Sequence, residues 1–203
     1  MKLVLLGKPL SGKGTQAALL SKALDISVLS LGALFRREVE KKSVLGKKVE
    51  KYMKKGTLVP HSVTFPFLQK YLPKKDFILD GYPRNLAQAK ALEKMCSLDF
   101  VIDVHCSNRL IQKRIMARRS CPKCGKIYGL DVHPPKEGIC SCGATLIQRK
   151  DDTKAIVQKR LAVYTKQSAS LISYYKHKGI YLQVSGEKNR YSLTKNILKK
   201  ISY

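Results

Sequence analysis

Acidic residues are scarce in this sequence: 14 Asp and Glu stand against 40 Lys and Arg, a formal net charge of +26. Such a chain is drawn to phosphates, nucleic acid or acidic membrane surfaces, or else carries a Lys-rich solvated surface of the kind some thermophile and salt-adapted proteomes favour. Charge alone selects neither, and no dense basic tail is present. Long apolar runs are missing too. None approaches the roughly 18–20 residues that a bilayer-crossing helix needs. No small-residue cleavage site follows MKLVLLGKPLSGKGTQ, and a glycine loop does, so no signal peptide is expected. The aromatics, 7% of the chain, do not interleave with the charges as base-stacking platforms would. Without a secretory signal, the six cysteines point to a reducing, cytoplasmic setting and to metal binding before disulfides.

What is present describes a folded domain. Hydrophobic residues make up 44% of 203, enough to bury a core and to exclude wholesale disorder. Short apolar runs at Lys2–Leu6, Ile26–Leu29, Phe77–Leu79, Phe100–His105 and Ile180–Val184 read as strands. Helices are expected over Lys13–Leu24, with Ala17, Ala18, Leu20 and Leu24 spaced for packing, and over Leu34–Lys55, broken near Ser43 and Gly46. More follow at Ser62–Leu72, Asn85–Met95, Leu110–Arg119 and Tyr191–Ile201. Thr153–Lys176 reads as a long amphipathic helix whose buried candidates are Ile156, Leu161, Leu171, Ile172 and Tyr175. Alternating strands and helices predict an α/β fold, a parallel sheet covered on both faces.

Three motifs carry chemistry. Gly7-Lys8-Pro9-Leu10-Ser11-Gly12-Lys13-Gly14-Thr15 links the first strand to the first helix and fits G-x4-G-K, with Thr15 one place later than usual. Its glycines let backbone N–H groups turn inward around phosphate oxygens, the helix N-terminus adds partial positive charge, and Lys13 adds a full one. Cys121-Pro122-Lys123-Cys124 is a C-x2-C knuckle, and Cys140-Ser141-Cys142 supplies a second, tighter pair. Four thiolates surround one structural Zn2+, which holds together a coreless insert at roughly 10 kcal/mol or more. His133 is an alternative ligand but reads as a surface residue, and Cys96 and Cys106 read as buried structural thiols.

Arginine is the third signal, because guanidinium grips phosphate bidentately and Lys does not. Arg114 and Arg118 are spaced i,i+4, on one helical face just before the cysteines. Arg149 neighbours Asp151 and Asp152, and Arg160 lies one to two turns into the following helix. Arginines on both sides of an insert suit a lid that closes over phosphates. Asp80-Gly81-Tyr82-Pro83-Arg84 ends a central strand, where α/β sheets bind ligands and where an acid can hold the hydration shell of Mg2+.

GKPLSGKGTQ at 7–16, LSLGALFR at 29–36, DGYPRNLAQ at 80–88, RIMARRSCPKCG at 114–125, LIQRKDD at 146–152 and LISYY at 171–175 together resemble the adenylate kinases with a zinc-bearing LID, over essentially the whole chain. The resemblance implies a P-loop fold with strand order 2-3-1-4-5. It divides the chain into a core (1–29, 60–118 and 153–203), an acceptor-nucleotide segment (30–59) and a zinc LID (119–152). It implies reversible Mg2+-dependent transfer of a phosphoryl group from ATP to AMP, giving two ADP.

Residue by residue, Gly7, Pro9, Ser11, Gly12, Lys13, Gly14, Thr15, Arg114 and Arg118 would hold ATP. Gly32, Arg36, Thr57, Val59, Gly81, Arg84, Gln88, Arg149 and Arg160 would hold AMP, with Gln88 at the base. Lys13, Arg84, Arg118, Arg149 and Arg160 would surround the transferring group. Asp80 would orient Mg2+ through water, Cys121, Cys124, Cys140 and Cys142 would bind Zn2+, and Asp151 and Asp152 would assist closure. The partners expected are ATP, AMP and ADP, with no specific nucleic acid and no membrane; a monomer is expected, with a homo-oligomer left open.

This chain departs from the family in three places. Leu10 stands where Gly is usual, so an altered loop backbone is expected. Leu31 and Ala33 replace a frequent Thr and Asp, and the lost hydroxyl predicts looser acceptor-base selectivity. A UMP/CMP-type kinase is the alternative within the class, against which the cysteine knuckles count, and a basic zinc-ribbon nucleic-acid binder is the alternative outside it.

Overall fold

The computed structural model describes residues 1–202. Five strands, β1 (Lys2–Leu6), β2 (Ser27–Ser30), β3 (Phe77–Asp80), β4 (Phe100–His105) and β7 (Tyr181–Ser185), form one parallel sheet in the order β2-β3-β1-β4-β7. This is the expected order, β7 being the fifth strand of the sheet. Two further strands, β5 (Arg119–Ser120) and β6 (Ile127–Tyr128), pair antiparallel in the cysteine-bearing segment.

Both sheet faces are buried, so its central strands are apolar at consecutive positions. Alternation sorts them: Val4, Leu6, Phe77, Leu79 and Val101 join one core, while Leu3, Leu5, Ile78, Ile102 and Val104 join the other. The first core is covered by α2 (Leu31–Glu40), α3 (Val44–Lys55), α4 (His61–Tyr71), α5 (Leu86–Glu93) and α7 (Lys154–His177). The second is covered by α1 (Lys13–Leu24) and α8 (Arg190–Ile201). No helix among the described residues is long and apolar enough to cross a membrane.

The structure corrects several expectations. The charged 34–55 stretch is broken near Ser43 as expected, giving two helices, but not at Gly46. The break falls at Lys42, whose φ is 53°, and at Ser43, whose hydroxyl caps α3 by accepting from the Gly46 amide at 2.9 Å. Gly46 therefore lies inside α3 and not at the break. A Cβ there would stand 2.0 Å from Glu38 O, so Gly46 is what lets α2 and α3 touch. Ala18 is exposed, beside the cleft described below, and Leu24 is half-buried. In α7 the buried face is Val157, Leu171 and Tyr175, while Ile156, Leu161 and Ile172 are only partly covered. Cys106 is buried as expected, but Cys96 is half-buried. Finally, α6 (Asn108–Ala117) ends before Arg118, whose ψ of 129° is extended. Arg114 and Arg118 therefore do not share a helical face.

Candidate active site

The carboxyl ends of β1, β2 and β3, with Gly186 just after β7, open onto one cleft of about 550 Å³. Between β1 and α1 the chain turns through Gly7 (φ 138°), Leu10 (φ 64°) and Gly12 (φ 106°). A Cβ at Gly7 would stand 2.4 Å from Val104 O, so only glycine fits. At Leu10 the loop backbone is left-handed although the residue is leucine.

No side chain caps the start of α1, and its first turn holds no acid, so the amides there remain free to meet an anion. Lys13 Nζ donates to Gly7 O and Lys8 O, both at 2.7 Å. Burial lowers the Lys13 ammonium to about 8, against the opposing pull of Asp80. Ser11 Oγ is buried with no protein partner. A strongly desolvated ammonium, an orphaned hydroxyl and uncapped amides together suit phosphate oxygens.

Around this loop the other cations converge. Arg114 donates to Leu10 O (3.2 Å), Ser11 O (2.9 Å) and Gly186 O (2.9 Å), tying α6 to the loop. Arg118 donates from Nε to Asp152 Oδ2 at 2.6 Å and pairs through Nη2 with the other oxygen. Arg160 is ion-paired with Asp151, and Arg149 Nε donates to Ser120 Oγ at 2.7 Å. Arg84 Nε donates to Gly81 O, and its amide donates to Gln88 Oε1, each at 2.8 Å. Arg36 lies beside Gly32, its Nη1 3.5 Å from where a Cβ would stand.

The guanidinium of Arg36 is pushed down in pKa by burial and by Arg118 and Arg160, with Asp151 opposing; that of Arg149 is pushed down by burial and then by Arg36 and Arg118. Guanidinium stays charged at ordinary pH, so these shifts reflect burial first and the crowding of like charges after it. Six cations (Lys13, Arg36, Arg84, Arg118, Arg149 and Arg160) face four carboxylates (Asp80, Asp103, Asp151 and Asp152). A polyanion relieves that excess.

All nineteen nucleotide-site residues expected from the sequence line this cleft, Thr57, Val59, Gly81 and Asp80 included. Asp80 Oδ2 accepts from Ser30 Oγ at 3.0 Å and lies 3.9 Å from where a Cβ on Gly14 would stand. A carboxylate beside a phosphate loop is a hard oxygen donor suited to the water shell of Mg2+. Sequence reading passed over Ser30, Asp131 and Gly186, which also line the cleft. Gly186 follows β7 and would put a Cβ 2.5 Å from Ser11 O; its place at a strand's carboxyl end was the available signal. Asp131 lies 3.6 Å from Arg114 across the fold, and nothing local announces it.

The cysteine-bearing segment stands over the cleft, with Ile127 Cδ1 3.7 Å from where a Cβ on Gly14 would be. Its four Sγ atoms all lie within 4.8 Å of one another, with Cys121–Cys142 at 3.4 Å and Cys124–Cys140 at 3.5 Å. Tetrahedral zinc with bonds of about 2.3 Å sets sulfurs about 3.8 Å apart, so the donor set fits. The narrow Cys140-Ser141-Cys142 pair reaches as well as the wide one. Tyr128 braces it, its hydroxyl accepting from the Ser141 amide at 3.0 Å and lying 3.3 Å from Cys140 Sγ. His133 is exposed and outside the cluster.

The sequence matches the family described as adenylate kinase over residues 5–180. It is 41% identical to an adenylate kinase of Caldicellulosiruptor bescii, covering 99% of both chains. It is 42% identical to one of Caldanaerobacter subterraneus, over 99% of this chain and 96% of the relative, and 41% identical to one of Acholeplasma laidlawii, over 98% and 96%. With the parallel sheet, the phosphate loop, the arginine-ringed cleft and the four-cysteine cluster, these matches make the chain a member of the adenylate kinase family.

Proposed function

We propose that this adenylate kinase transfers the terminal phosphoryl group of ATP to AMP, reversibly and with Mg2+, in the cytoplasm. The observation that carries the reading is the convergence of six cations from separate elements beside the uncapped start of α1. Phosphoryl transfer asks a protein for alignment and charge neutralisation, not for a side-chain nucleophile.

Loop 7–15 grips the ATP phosphates through its amides and Lys13, with Arg114 bracing the loop from behind. Arg36 and Arg84 grip the AMP phosphate, with Gln88 at the base and Gly32, Thr57, Val59 and Gly81 forming the wall. Arg118, Arg149 and Arg160 take up charge on the transferring group, and Asp151 and Asp152 hold two of them in place by ion pairs. Asp80, fixed by Ser30, would hold the water shell of the magnesium that accompanies ATP; when bound, that ion neutralises phosphate charge.

Residues 119–152 serve as the LID and 30–59 as the acceptor segment, on a core of 1–29, 60–118 and 153–203, of which residue 203 lies outside the described residues. Cys121, Cys124, Cys140 and Cys142 would hold a structural zinc, which cross-links the LID. A closed LID excludes water, without which ATP would be lost to hydrolysis.

Leu31, 2% exposed, offers the acceptor base no hydroxyl, so selectivity among acceptors is relaxed. A coupled assay of ADP formation from ATP with AMP, GMP, CMP and UMP, repeated under chelation, tests both statements. AMP turnover that needs Mg2+, with measurable use of other monophosphates, is expected. Strict AMP dependence removes the relaxed selectivity, and no AMP turnover removes the whole reading.

A further inference from the structure

Leu10 is the one apolar residue among the described non-glycine residues with positive φ; the others are Asp25 and Lys42. The left-handed region is disfavoured for any residue with a Cβ, and a leucine has no polar group to bond locally in compensation. Something outside the loop therefore holds this conformation. The Leu10 side chain packs against a buried cluster of Cys106, Ile111, Ile115 and Val157. Ile111 and Ile115 belong to α6, and Val157 to α7, the helices that enter and leave the cysteine-bearing segment. On its other side, Leu10 O accepts from Arg114 of α6. The loop is thus clamped by side chain and by carbonyl to the same pair of elements.

We propose that Leu10 is a positioning residue that makes the phosphate loop's geometry depend on α6 and α7. A glycine at this place would adopt the same backbone without steric cost. Here the apolar contact enforces a backbone the residue itself disfavours, and the helices that bear the insert set the ATP side of the cleft. This rests on the reading that loop 7–15 holds the ATP phosphates.

The test is ATP and AMP kinetics, with hydrogen exchange of the Lys8–Gly12 amides, in Leu10→Ala, Leu10→Gly and Leu10→Met. Alanine has neither reach nor left-handed freedom, glycine has the freedom, and methionine has the reach. Leu10→Ala is expected to raise KM for ATP about fivefold or more and to speed loop exchange, leaving KM for AMP and kcat within about twofold. Leu10→Gly and Leu10→Met should stay near the parent. If leucine only fills space, glycine is as harmful as alanine or worse, and that outcome overturns the proposal. Should Leu10→Ala not fold, Val157→Ala decides. It is expected to raise KM for ATP in the parent and not in the L10G background, and the same factor in both overturns the coupling. Lys13→Ala is the control for the underlying reading. If it leaves ATP kinetics unchanged, the loop is not the phosphate site, while loop exchange in the Leu10 variants still reports the coupling.

Discussion

In the parallel sheet, Leu3, Val4, Phe77, Ile78, Leu79, Val101 and Ile102 are wholly out of water, sorted onto two apolar cores. Between Arg119 and Asp152 the buried residues are Ser120, Cys121, Tyr128, Cys140, Asp151 and Asp152. The sheet is held by area removed from water, at about 25 cal/mol per Å². The cysteine-bearing segment has no comparable core, and its apolar cluster is two thiols and a tyrosine with Val132, Ala144 and Leu146 at the edge. Its order comes from thiols converging on a common point and from charged groups at its borders. One region is held by burial alone; the other rests on a handful of thiols and charged groups.

The sharpest way to break this contrast is to disable the proposed zinc cross-link among the four clustered cysteines. Cys124→Ser, or zinc removal followed by restoring Mg2+, is expected to abolish amide protection across 119–152, as befits a contribution of about 10 kcal/mol, and to cut ADP formation at least tenfold. Sheet amides should keep their protection. Hydrogen exchange with metal analysis of the purified protein reads both, and melting of the sheet together with the insert would erase the distinction. The reverse test is Leu79→Ala, a cavity in the sheet costing about 2–5 kcal/mol by denaturant titration, with metal content unchanged.

Lys13→Ala should leave both regions folded and still lower kcat/KM for ATP about 10²–10³-fold, because it removes a charge aimed at the phosphates. The pH dependence is smaller. Burial has brought Lys13 in the free enzyme to about 8, so it loses its proton as pH rises through that value, whereas bound phosphates favour the charged form. kcat/KM for ATP should therefore fall about fivefold between pH 8 and 9, while kcat holds to higher pH. Parallel profiles would assign the titration elsewhere. The mildest change is Leu31→Thr, which restores one hydrogen-bonding group and should shift preference toward AMP about fivefold in the four-nucleotide panel.

Legibility followed the same division. β1, the loop and α1 were readable because strand, glycines and Lys13 are adjacent in sequence, and local backbone preference decides them. The four-cysteine cluster was readable because a knuckle is a local turn. Arg114 and Arg118 were misplaced on one face because α6 stops at Ala117, and Arg118 is drawn off by Asp152, 34 residues away. Gly46 was misread as a break because its purpose is a contact with Glu38 across two helices.

The sequence by itself determined the alternation of apolar strands and helices, the phosphate loop, the cysteine donor set and the arginines available. All of these are matters of residue type and near spacing. Only the tertiary structure decided which arginine meets which carboxylate, that Gly186 and Asp131 face the cleft, and that Leu10 is held left-handed by α6 and α7. Those pairings join residues far apart along the chain, and close packing, which has no local signature, selects among them.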